Sequence, residues 1–369
     1  MSFSAADHGF MAQALRVAEG GRCITTPNPS VGCVLVRDGR LIGQGHTQVA
    51  GGPHAEVMAL RDAIARGETP AGATAYVTLE PCAHYGRTPP CAKGLIEAGV
   101  ARVVAALVDP HTLVAGKGLA MLREAGIAAE VGLMATEARE SLKGFLSRIE
   151  RQRPWLRLKL AASLDGKTAL ANGESQWITG PAARADVQRL RARSCAMLTG
   201  SGTVLKDDPL LTVREMDGLA WDGRQPLRVV LDSRAQLRVN ARMLTAPGKT
   251  LVITADAPSN HADALREAGA EVVALPDGAG RVDLAATLTL LGQLGMNEVT
   301  VESGGRLNGA WLQSGLVDEL VLYQAPVLLG SAAAHMADFS LARLADKLAP
   351  RLVDSRQVGP DMRYTLRFD

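Results

Sequence analysis

Strand-like and helix-like segments alternate along this sequence, and one charged helical stretch interrupts the alternation. This stretch covers residues 136–153 and ends at Pro154. Alternating strands and helices build α/β domains, and a proline directly after a helical pattern marks the end of the helix. The interruption therefore predicts two α/β domains, over residues 1–150 and 151–369. The length of 369 residues agrees with this division, because one domain usually holds about 100–200 residues.

The first half opens with a helical pattern over residues 5–19 and continues as a hairpin. Apolar runs at 31–36 and 41–45 flank the pair Asp38-Gly39, which favours a tight turn between antiparallel strands. The segments that follow are helices at 54–66, after Cys91 and at 118–125, and strands at 74–79, 102–108 and 127–131. A hairpin followed by βαβ units predicts a mixed sheet with helices on both faces, an α/β/α arrangement.

The second half repeats the alternation but shares no motif with the first. Its patterns predict strands at 155–160, 196–199, 227–231, 250–254, 271–274, 298–302 and 319–325, with helices at 181–193, 283–294 and 306–314. We therefore expect a second α/β domain with a hydrophobic core of its own.

The composition of the chain argues against two classes of binding partner, nucleic acids and membranes. Aromatic residues make up 4% of the chain and the formal net charge is +2. Such a chain has few rings on which bases could stack and no basic excess to bind a phosphate backbone, so we expect no nucleic-acid partner. No run of 18 apolar residues is present, and the N-terminus lacks a basic flank before an apolar stretch. We expect no membrane span and a cytoplasmic location.

The five cysteines are odd in number and irregular in spacing, which does not fit a secreted disulfide framework. For two of the cysteines, metal binding is a better explanation than a disulfide. The segment His54-Ala-Glu56 opens a predicted helix, and Cys82 and Cys91 follow with eight residues between them. One imidazole and two thiolates leave the fourth position of a tetrahedral zinc ion open for water, as a catalytic zinc requires.

Glu56 stands two residues after the imidazole and is free to move protons. A His-x-Glu segment followed by Pro-Cys and a second cysteine is typical of zinc deaminases that act on nucleobases, although the usual cysteine spacing is shorter. The alternatives are a closed structural zinc knuckle or a pair of buried thiols. Either would leave Glu56 without a use.

The long cysteine spacing resembles the deaminase half of the bifunctional riboflavin-biosynthesis deaminase/reductase family. The segments that carry this resemblance are Pro81-Cys82-Ala-His-Tyr-Gly-Arg-Thr-Pro-Pro-Cys91, Thr26-Pro-Asn28-Pro, Val31-Gly32-Cys33-Val34, Asp109-Pro110 and Val114-Ala-Gly-Lys-Gly118. The resemblance implies a cytidine-deaminase-like fold, zinc ligands at His54, Cys82 and Cys91, and a proton donor at Glu56. Where the family usually has Asn-Pro after Asp-Pro, this chain has His111-Thr112, which affects only an expected substrate-loop contact.

The second half lacks the G-x-G-x-x-G signature of a Rossmann site. A strand does lead into Gly304-Gly305 and a helix, where backbone N–H groups could approach phosphates, although such a glycine pair is often a plain turn. The segments Leu158–Lys167, Gly173–Thr179 and Thr199–Arg214 also resemble the reductase half of the same family. That half is similar to dihydrofolate reductase and uses NADPH.

The resemblance assigns ligand contacts by motif position. The implied cofactor contacts are Ala161, Trp177, Thr203, Asp207, Ser233, Gly304, Gly305, Arg306, Leu307, Asn308, Gly309 and Ala310. The implied substrate contacts are Ser175, Arg191, Leu211, Arg214 and Glu302. The two arginines suit a sugar phosphate, because a guanidinium can hold it through paired hydrogen bonds.

The family implies two reactions on one phosphorylated pyrimidine. Hydrolysis replaces an exocyclic amine of the ring with oxygen, and hydride transfer then reduces the opened ribose to a ribityl chain. Lys159 and Glu302 are the ionisable candidates to assist the second reaction, although Lys159 could also be a surface residue at a strand edge. Arg234, directly after Ser233, is a candidate for the 2′-phosphate of NADPH.

Two other functions fit parts of the sequence. One is a deaminase that edits a base in RNA or DNA, with an unrelated C-terminal binding module. The other is a non-enzymatic scaffold with a structural zinc ion. Balanced charge, few aromatic residues and the long cysteine spacing disfavour the first, and the open ligand position disfavours the second. We expect a small-molecule substrate and a homo-oligomer.

Overall fold

The computed structural model describes residues 3–85, 89–112, 114–214, 221–256 and 260–368. The chain forms two compact units, the first from residues 1–152 and the second from residues 153–369 except 220–222. Within the described part of the chain, no helix is both long and apolar enough to cross a membrane.

The described residues of the first unit form a five-stranded sheet and six α-helices. The strands are β1 (Gly32–Arg37), β2 (Arg40–His46), β3 (Thr74–Val77), β4 (Arg102–Ala105) and β5 (Ala128–Val131). The helices are α1 (Ala5–Ala18), α2 (Ala55–Ala65), α3 (Cys91–Glu97), α4 (Lys117–Glu124), α5 (Ala135–Ser141) and α6 (Lys143–Arg151). The sheet order is β2-β1-β3-β4-β5, with β1 antiparallel to both neighbours and β3, β4 and β5 parallel. The predicted mixed sheet is confirmed.

The β1–β2 hairpin turns where its sequence allows positive φ angles. Asp38 and Gly39 have φ values of 53° and 73°, which glycine and aspartate tolerate better than most residues. Helix α1 begins at a capping box, in which the Ser4 side chain accepts the Asp7 N–H and the Asp7 carboxylate accepts the Ser4 N–H. These local signals explain why the hairpin turns, and helix α1 begins, where the sequence predicts.

Helix α2 packs closely on strand β2 because both surfaces carry small residues. A Cβ added at Gly43 would lie 2.4 Å from the carbonyl oxygen of Ala59, and one added at Gly45 would lie 2.4 Å from the Cβ of Met58. Ala55, Ala59 and Ala63 are buried at helical spacing on the same helix. This contact fixes the N-terminal end of α2, where His54 and Glu56 lie.

The described residues of the second unit form a nine-stranded sheet, a two-stranded sheet and six α-helices. The strands are β6 (Trp155–Ser163), β7 (Lys167–Ala169), β8 (Ala196–Gly200), β9 (Leu227–Leu231), β10 (Thr250–Thr254), β11 (Glu271–Ala274), β12 (Glu298–Val301), β13 (Glu319–Ala325), β14 (Ala334–His335), β15 (Arg351–Val358) and β16 (Asp361–Arg367). The helices are α7 (Pro181–Arg193), α8 (Ser201–Asp207), α9 (Arg242–Thr245), α10 (Asn260–Glu267), α11 (Leu284–Gln293) and α12 (Gly305–Gln313).

The large sheet has the order β11-β10-β9-β8-β12-β6-β13-β16-β15. Its first seven strands are parallel, and β16 and β15 continue it as an antiparallel hairpin. The predicted second α/β fold is confirmed. The carboxyl ends of parallel strands in such a sheet are where ligands usually bind.

The predicted and observed secondary structures differ most clearly in two regions. The helix predicted over 136–153 is two helices, α5 and α6, which meet at Leu142 with φ −102° and ψ 10°. The C-terminal hairpin β15–β16 was not predicted. Seven of the eight residues of β15 are exposed, so the strand carries no alternation of buried and exposed positions.

Candidate active sites

Three side chains of the first unit meet at the ends of different elements. His54 is the N-cap of α2, Cys91 is the first residue of α3, and Cys82 lies in the loop after β3. The His54 Nδ1 lies 3.7 Å from the Cys82 Sγ and 3.3 Å from the Cys91 Sγ. Residues 86–88 of the motif between the cysteines lie outside the described residues.

The three ligand atoms fit one zinc ion. With Zn–S bonds of about 2.3 Å and a Zn–N bond of about 2.0 Å, tetrahedral ligation separates sulfur from nitrogen by about 3.5 Å. The observed distances of 3.3 and 3.7 Å bracket that value. A hydrogen bond from the Cys91 thiol and another from the Cys91 backbone N–H, at 3.3 Å, lower the pKa of the Cys82 thiol, which favours the thiolate form that binds metal.

Glu56 lies in the first turn of α2 and is 4% exposed. Its burial, followed by the nearby Cys82 thiolate, raises the pKa of Glu56 to about 7. Among the described residues, the group that can hold a metal consists of His54, Cys82 and Cys91, without Glu56. A carboxyl group with a pKa near neutrality can both take up and release a proton at physiological pH.

Sequence reasoning missed Glu80, which organises the loop before α4. This side chain is 4% exposed. Its two oxygens accept four backbone N–H groups, from Asp109, Gly116, Gly118 and Leu119, at 2.9 to 3.1 Å. Because Glu80 precedes Pro81-Cys82, it ties this loop to the segment that carries a predicted zinc ligand. A single glutamate before a Pro-Cys pair belongs to no sequence pattern that would predict these hydrogen bonds.

The second unit contains a cavity of about 1740 Å³. Its walls include residues at or just beyond the carboxyl ends of four parallel strands, namely β6, β8, β9 and β12. This is the position expected for a ligand site in a parallel α/β sheet.

The cavity brings together most of the residues predicted for the reductase site. The predicted residues on its wall are Ala161, Ser175, Trp177, Arg191, Thr203, Asp207, Leu211, Arg214, Ser233, Glu302, Gly304, Gly305, Arg306, Leu307, Asn308 and Ala310. Gly309 is not among the lining residues. A Cβ added there would lie 2.0 Å from the carbonyl oxygen of Asp338, so glycine at this position permits close packing of α12 against the backbone.

Charged groups inside the cavity pair with one another. The Arg191 Nε and Nη2 donate to the two Glu302 oxygens at 2.9 and 2.8 Å, and its Nη1 donates to the Thr212 carbonyl at 3.1 Å. Burial alone would raise the pKa of Glu302, but the charges of Arg191 and then Lys159 outweigh it and hold the pKa at about 2. Glu302 is therefore a carboxylate at neutral pH.

Lys159 lies on the interior strand β6 and lines the cavity. The alternative that it sits at a strand edge is wrong, because β12 and β13 pair with both edges of β6. Burial lowers the pKa of Lys159, and the charge of Glu302 partly restores it. A lysine with a lowered pKa next to a carboxylate is suited to proton transfer.

Two family descriptions match this chain. "Cytidine and deoxycytidylate deaminase zinc-binding region" matches residues 4–107, and "RibD C-terminal domain" matches residues 154–364. The riboflavin biosynthesis protein RibD of Escherichia coli (strain K12) is 49% identical over 366 residues, covering 96% of this chain and 98% of that protein. The chain belongs to the RibD family.

Solved RibD structures have the same fold over the whole chain. Form 1 of Acinetobacter baumannii RibD superposes with a TM-score of 0.90 at 44% identity, covering 98% of each chain. A Thermotoga maritima protein described as a diaminohydroxyphosphoribosylaminopyrimidine deaminase/5-amino-6-(5-phosphoribosylamino)uracil reductase superposes with a TM-score of 0.87 at 32% identity, also covering 98% of each chain. The predicted cytidine-deaminase-like and reductase folds are thereby confirmed.

Family membership confirms the main functional predictions. As a RibD protein, this chain is a bifunctional deaminase and reductase of riboflavin biosynthesis that acts on a small molecule. Zinc in the deaminase half and NADPH in the reductase half are its cofactors. The interpretation as an editing deaminase with an unrelated C-terminal module is not favoured, because the C-terminal half itself matches RibD.

The cavity of the second unit also contains basic residues that no sequence pattern grouped together. Arg242 and Arg281 line it together with Arg234. The three arginines come from three loops or helix starts spread over nearly fifty residues, so no local motif joins them. Arg281 pairs with Asp277 on the same wall at 3.0 Å, so Arg234 and Arg242 are the stronger candidates to hold an anionic ligand.

Proposed function

We propose that this chain catalyses two successive reactions on one phosphorylated pyrimidine. The first is hydrolytic deamination of 2,5-diamino-6-(5-phosphoribosylamino)pyrimidin-4(3H)-one to the uracil derivative. The second is NADPH-dependent reduction of its ribose to a ribityl chain. The observation that carries the proposal is the His54, Cys82 and Cys91 cluster beside the buried Glu56, in a chain whose second unit has a cavity of about 1740 Å³.

The two activities divide between the two halves of the chain. We assign deamination to residues 1–150 and reduction to residues 151–369. The cluster of potential zinc ligands lies wholly within the first range and the cavity lining wholly within the second. Each range also has its own hydrophobic core.

In the deaminase half, His54, Cys82 and Cys91 would hold the zinc ion. Bound zinc supplies a water molecule of lowered pKa as a nucleophile at neutral pH. Glu56 would take one proton from the attacking water and pass it to the ring nitrogen. It would then take the proton that remains on the added oxygen and give it to the departing amine, which leaves as ammonia. The carbon gains a bond to oxygen and loses its bond to nitrogen, so the ring becomes a uracil. A pKa of Glu56 near 7 suits both directions of transfer.

In the reductase half, the cavity would hold substrate and cofactor side by side. Bound NADPH would supply a hydride for the first carbon of the opened ribose. Lys159, on β6, would deliver the proton that completes the reduction, and the Glu302 carboxylate, just beyond the neighbouring strand β12, would assist ring opening as an acceptor. We assign substrate binding to Ser175, Arg191, Leu211, Arg214 and Glu302. Arg191 donates three of its N–H groups to Glu302 and Thr212. Arg214 is therefore the better candidate to bind the sugar phosphate.

The residues that would hold the cofactor run along the cavity wall from β6 to the start of α12. We assign its contacts to Ala161, Trp177, Thr203, Asp207, Ser233 and the stretch Gly304–Ala310. Gly304 is the N-cap of α12, and an added Cβ at Gly305 would lie 2.6 Å from the His335 carbonyl oxygen. Gly309 contributes through packing of the helix.

We also propose a cytoplasmic enzyme that binds no nucleic acid and assembles as a homo-oligomer. A net charge of +2 with 4% aromatic residues supports the absence of a nucleic-acid partner.

The direct test supplies purified protein with the diaminopyrimidinone nucleotide, with and without NADPH. Ammonia release and nicotinamide absorbance are followed separately. We expect ammonia in both mixtures and NADPH oxidation only once deamination has begun. Absence of ammonia overturns the first activity. Ammonia without NADPH oxidation overturns the second.

A further inference from the structure

Leu211, Thr212 and Arg214 line the cavity of the second unit, although the segment 211–214 that carries them belongs to no helix or strand. The Leu211 side chain is 3% exposed, and the φ angle of this residue is 50°. A leucine in the left-handed region is strained, and such strain persists only where the surroundings hold the backbone in place. The segment is therefore held in this conformation by groups outside it.

The Gln225 side chain pairs with both backbone polar groups of Val213. Its Oε1 accepts the Val213 N–H at 2.8 Å, and its Nε2 donates to the Val213 carbonyl oxygen at 3.0 Å. Val213 is 4% exposed, and buried peptide groups need such partners. The stem of Gln225 packs closely on Gly248, where an added Cβ would lie 2.9 Å from the Gln225 Cβ. The amide of Gln225 is thereby a fixed, two-point support for the backbone of Val213.

Helix α7 supplies hydrogen bonds to the peptide groups on either side of Val213. The Gln188 Oε1 accepts the Arg214 N–H at 3.0 Å, and the Arg191 Nη1 donates to the Thr212 carbonyl oxygen at 3.1 Å. Gln188 and Arg191 follow one another at helical spacing, so they lie on the same face of α7. Gln188 is 9% exposed. The segment is therefore tied to α7 as well as to Gln225.

The residue that these contacts fix is Arg214, the candidate to bind the sugar phosphate. Arg214 lines the cavity. Burial raises the pKa of Glu302, and the charge of Arg214 is one of those that lower it, so the guanidinium lies near the carboxylate of the reductase site. A long side chain loses much conformational freedom when it holds a ligand in one geometry. A fixed backbone reduces that loss, because the starting point of the side chain is already set.

We propose that Gln225 and Gln188 are positioning residues of the reductase site, which hold the backbone of Val213 and Arg214 so that the Arg214 guanidinium meets the phosphate of the substrate. The inference rests on the proposed phosphate contact at Arg214 and adds the groups that fix it. Within the described part of the chain, neither glutamine is among the residues that line the cavity. Both therefore act through Arg214, and their loss weakens recognition of the phosphate without changing the hydride transfer itself.

Discrimination between a phosphorylated and an unphosphorylated substrate tests this role. Reduction by the full-length protein is measured with the deaminated uracil nucleotide and with the same compound lacking its phosphate. Gln225→Met keeps the length of the side chain and removes both hydrogen bonds. We expect kcat/KM for the phosphorylated compound to fall about tenfold, mainly through a higher KM. We expect kcat/KM for the unphosphorylated compound, and KM for NADPH, to stay within about twofold of the wild type.

A double-mutant cycle shows whether Gln225 acts through Arg214. We expect Arg214→Ala to lower kcat/KM for the phosphorylated compound about 100-fold, and Gln225→Met to have little further effect in that background. Gln188→Met removes only the bond to the Arg214 N–H, so we expect a loss of about threefold in the same direction. This second variant provides the test if Gln225→Met does not fold. Gln293→Met, at the exposed end of α11, is the matched control with wild-type kinetics expected.

The outcomes separate this inference from the function on which it rests. If Arg214→Ala leaves the preference for the phosphorylated compound unchanged, the proposed phosphate contact is wrong and this inference falls with it. If Arg214→Ala abolishes that preference and neither glutamine variant reduces it, only this inference is overturned. It is also overturned if the glutamine variants slow both compounds equally, or if the losses in Gln225→Met and Arg214→Ala multiply. Ammonia release by the first unit is measured separately and does not depend on these outcomes.

Discussion

The Arg191 guanidinium holds the Glu302 carboxylate through two hydrogen bonds, at 2.9 and 2.8 Å. The two residues stand 111 positions apart, one on α7 and one just after β12. Paired N–H groups fix the plane of a carboxylate as well as its charge. Arg191 therefore acts on the reductase site mainly through Glu302.

We predict that Arg191→Lys impairs reduction although the positive charge remains. Lysine cannot reproduce the paired hydrogen bonds, so Glu302 loses its fixed orientation. We expect kcat/KM for NADPH-dependent reduction to fall by about 10- to 100-fold, corresponding to about 1.4–2.8 kcal/mol. Arg189→Lys, on the exposed side of the same helix, is the control. Unchanged reduction in Arg191→Lys would show that the pair is only structural support.

The deaminase prediction concerns Glu56. Glu56→Gln keeps the size of the side chain and removes its ability to carry a proton, so we expect ammonia release to fall by about 10²- to 10⁴-fold. Zinc content per chain, measured by metal analysis, should stay at the wild-type level because Glu56 is outside the ligand cluster. Glu137→Gln, at an exposed position of α5, should leave both quantities unchanged. Persisting ammonia release would remove Glu56 from the mechanism.

Glu80 provides a prediction about loop positioning. Each carboxylate oxygen accepts two backbone N–H groups. Glu80→Gln replaces one of these oxygens by an NH₂ group, which leaves two buried donors unpaired and should lower the free energy of unfolding by about 1–3 kcal/mol. We also expect KM for deamination to rise while the reductase rate is unchanged. Glu97→Gln, whose side chain is 67% exposed, is the control. Unfolding by urea and the two activities are the measurements.

The sequence predicts those features of the fold and of the sites that depend on residues close together in the chain. The predicted zinc ligands are recognisable because His54 and Cys91 each open a helix and stand in a short motif. The Arg191–Glu302 pair and the four donors to Glu80 are invisible in the sequence, because tertiary packing brings these groups together. Strand β15 was missed since its exposed residues follow no period of two, and a strand without a buried face has no hydrophobic pattern.

Asp7 gives a pH-dependent prediction for the first unit. Burial would raise the pKa of Asp7, but hydrogen bonds from Arg102, Tyr76 and Ser4 outweigh it and hold the pKa well below its usual range. A group with a depressed folded-state pKa stabilises the fold above its unfolded value, about 3.9, and loses that contribution as pH falls toward the folded value.

We therefore expect the free energy of unfolding of the first unit to fall as pH drops below about 4, and Asp7→Asn to lose most of this dependence. Urea unfolding at pH 7, 5, 4 and 3 measures it. Asp38→Asn is the control, because Asp38 is exposed and asparagine tolerates its φ of 53°. Equal acid sensitivity in wild type and Asp7→Asn would contradict the assignment.

We expect the Arg234 side chain to discriminate between NADPH and NADH. It lines the cavity beside Ser233, whose hydroxyl accepts the Val282 N–H at 3.1 Å. Arg281 on the same wall pairs with Asp277 at 3.0 Å, whereas no ion pair is found for Arg234 within the described part of the chain. A guanidinium in this position can hold a phosphate through paired hydrogen bonds.

We expect Arg234→Ala to raise KM for NADPH by about tenfold, or about 1.4 kcal/mol, and to leave KM for NADH nearly unchanged. The difference arises because the two cofactors differ only in the 2′-phosphate. Arg266→Ala, which removes an exposed arginine of α10 outside the cavity lining, controls for the loss of one positive charge. A parallel rise in KM for both cofactors would assign Arg234 to a shared part of the dinucleotide, and the 2′-phosphate would then have to be sought at Arg242 or Arg281.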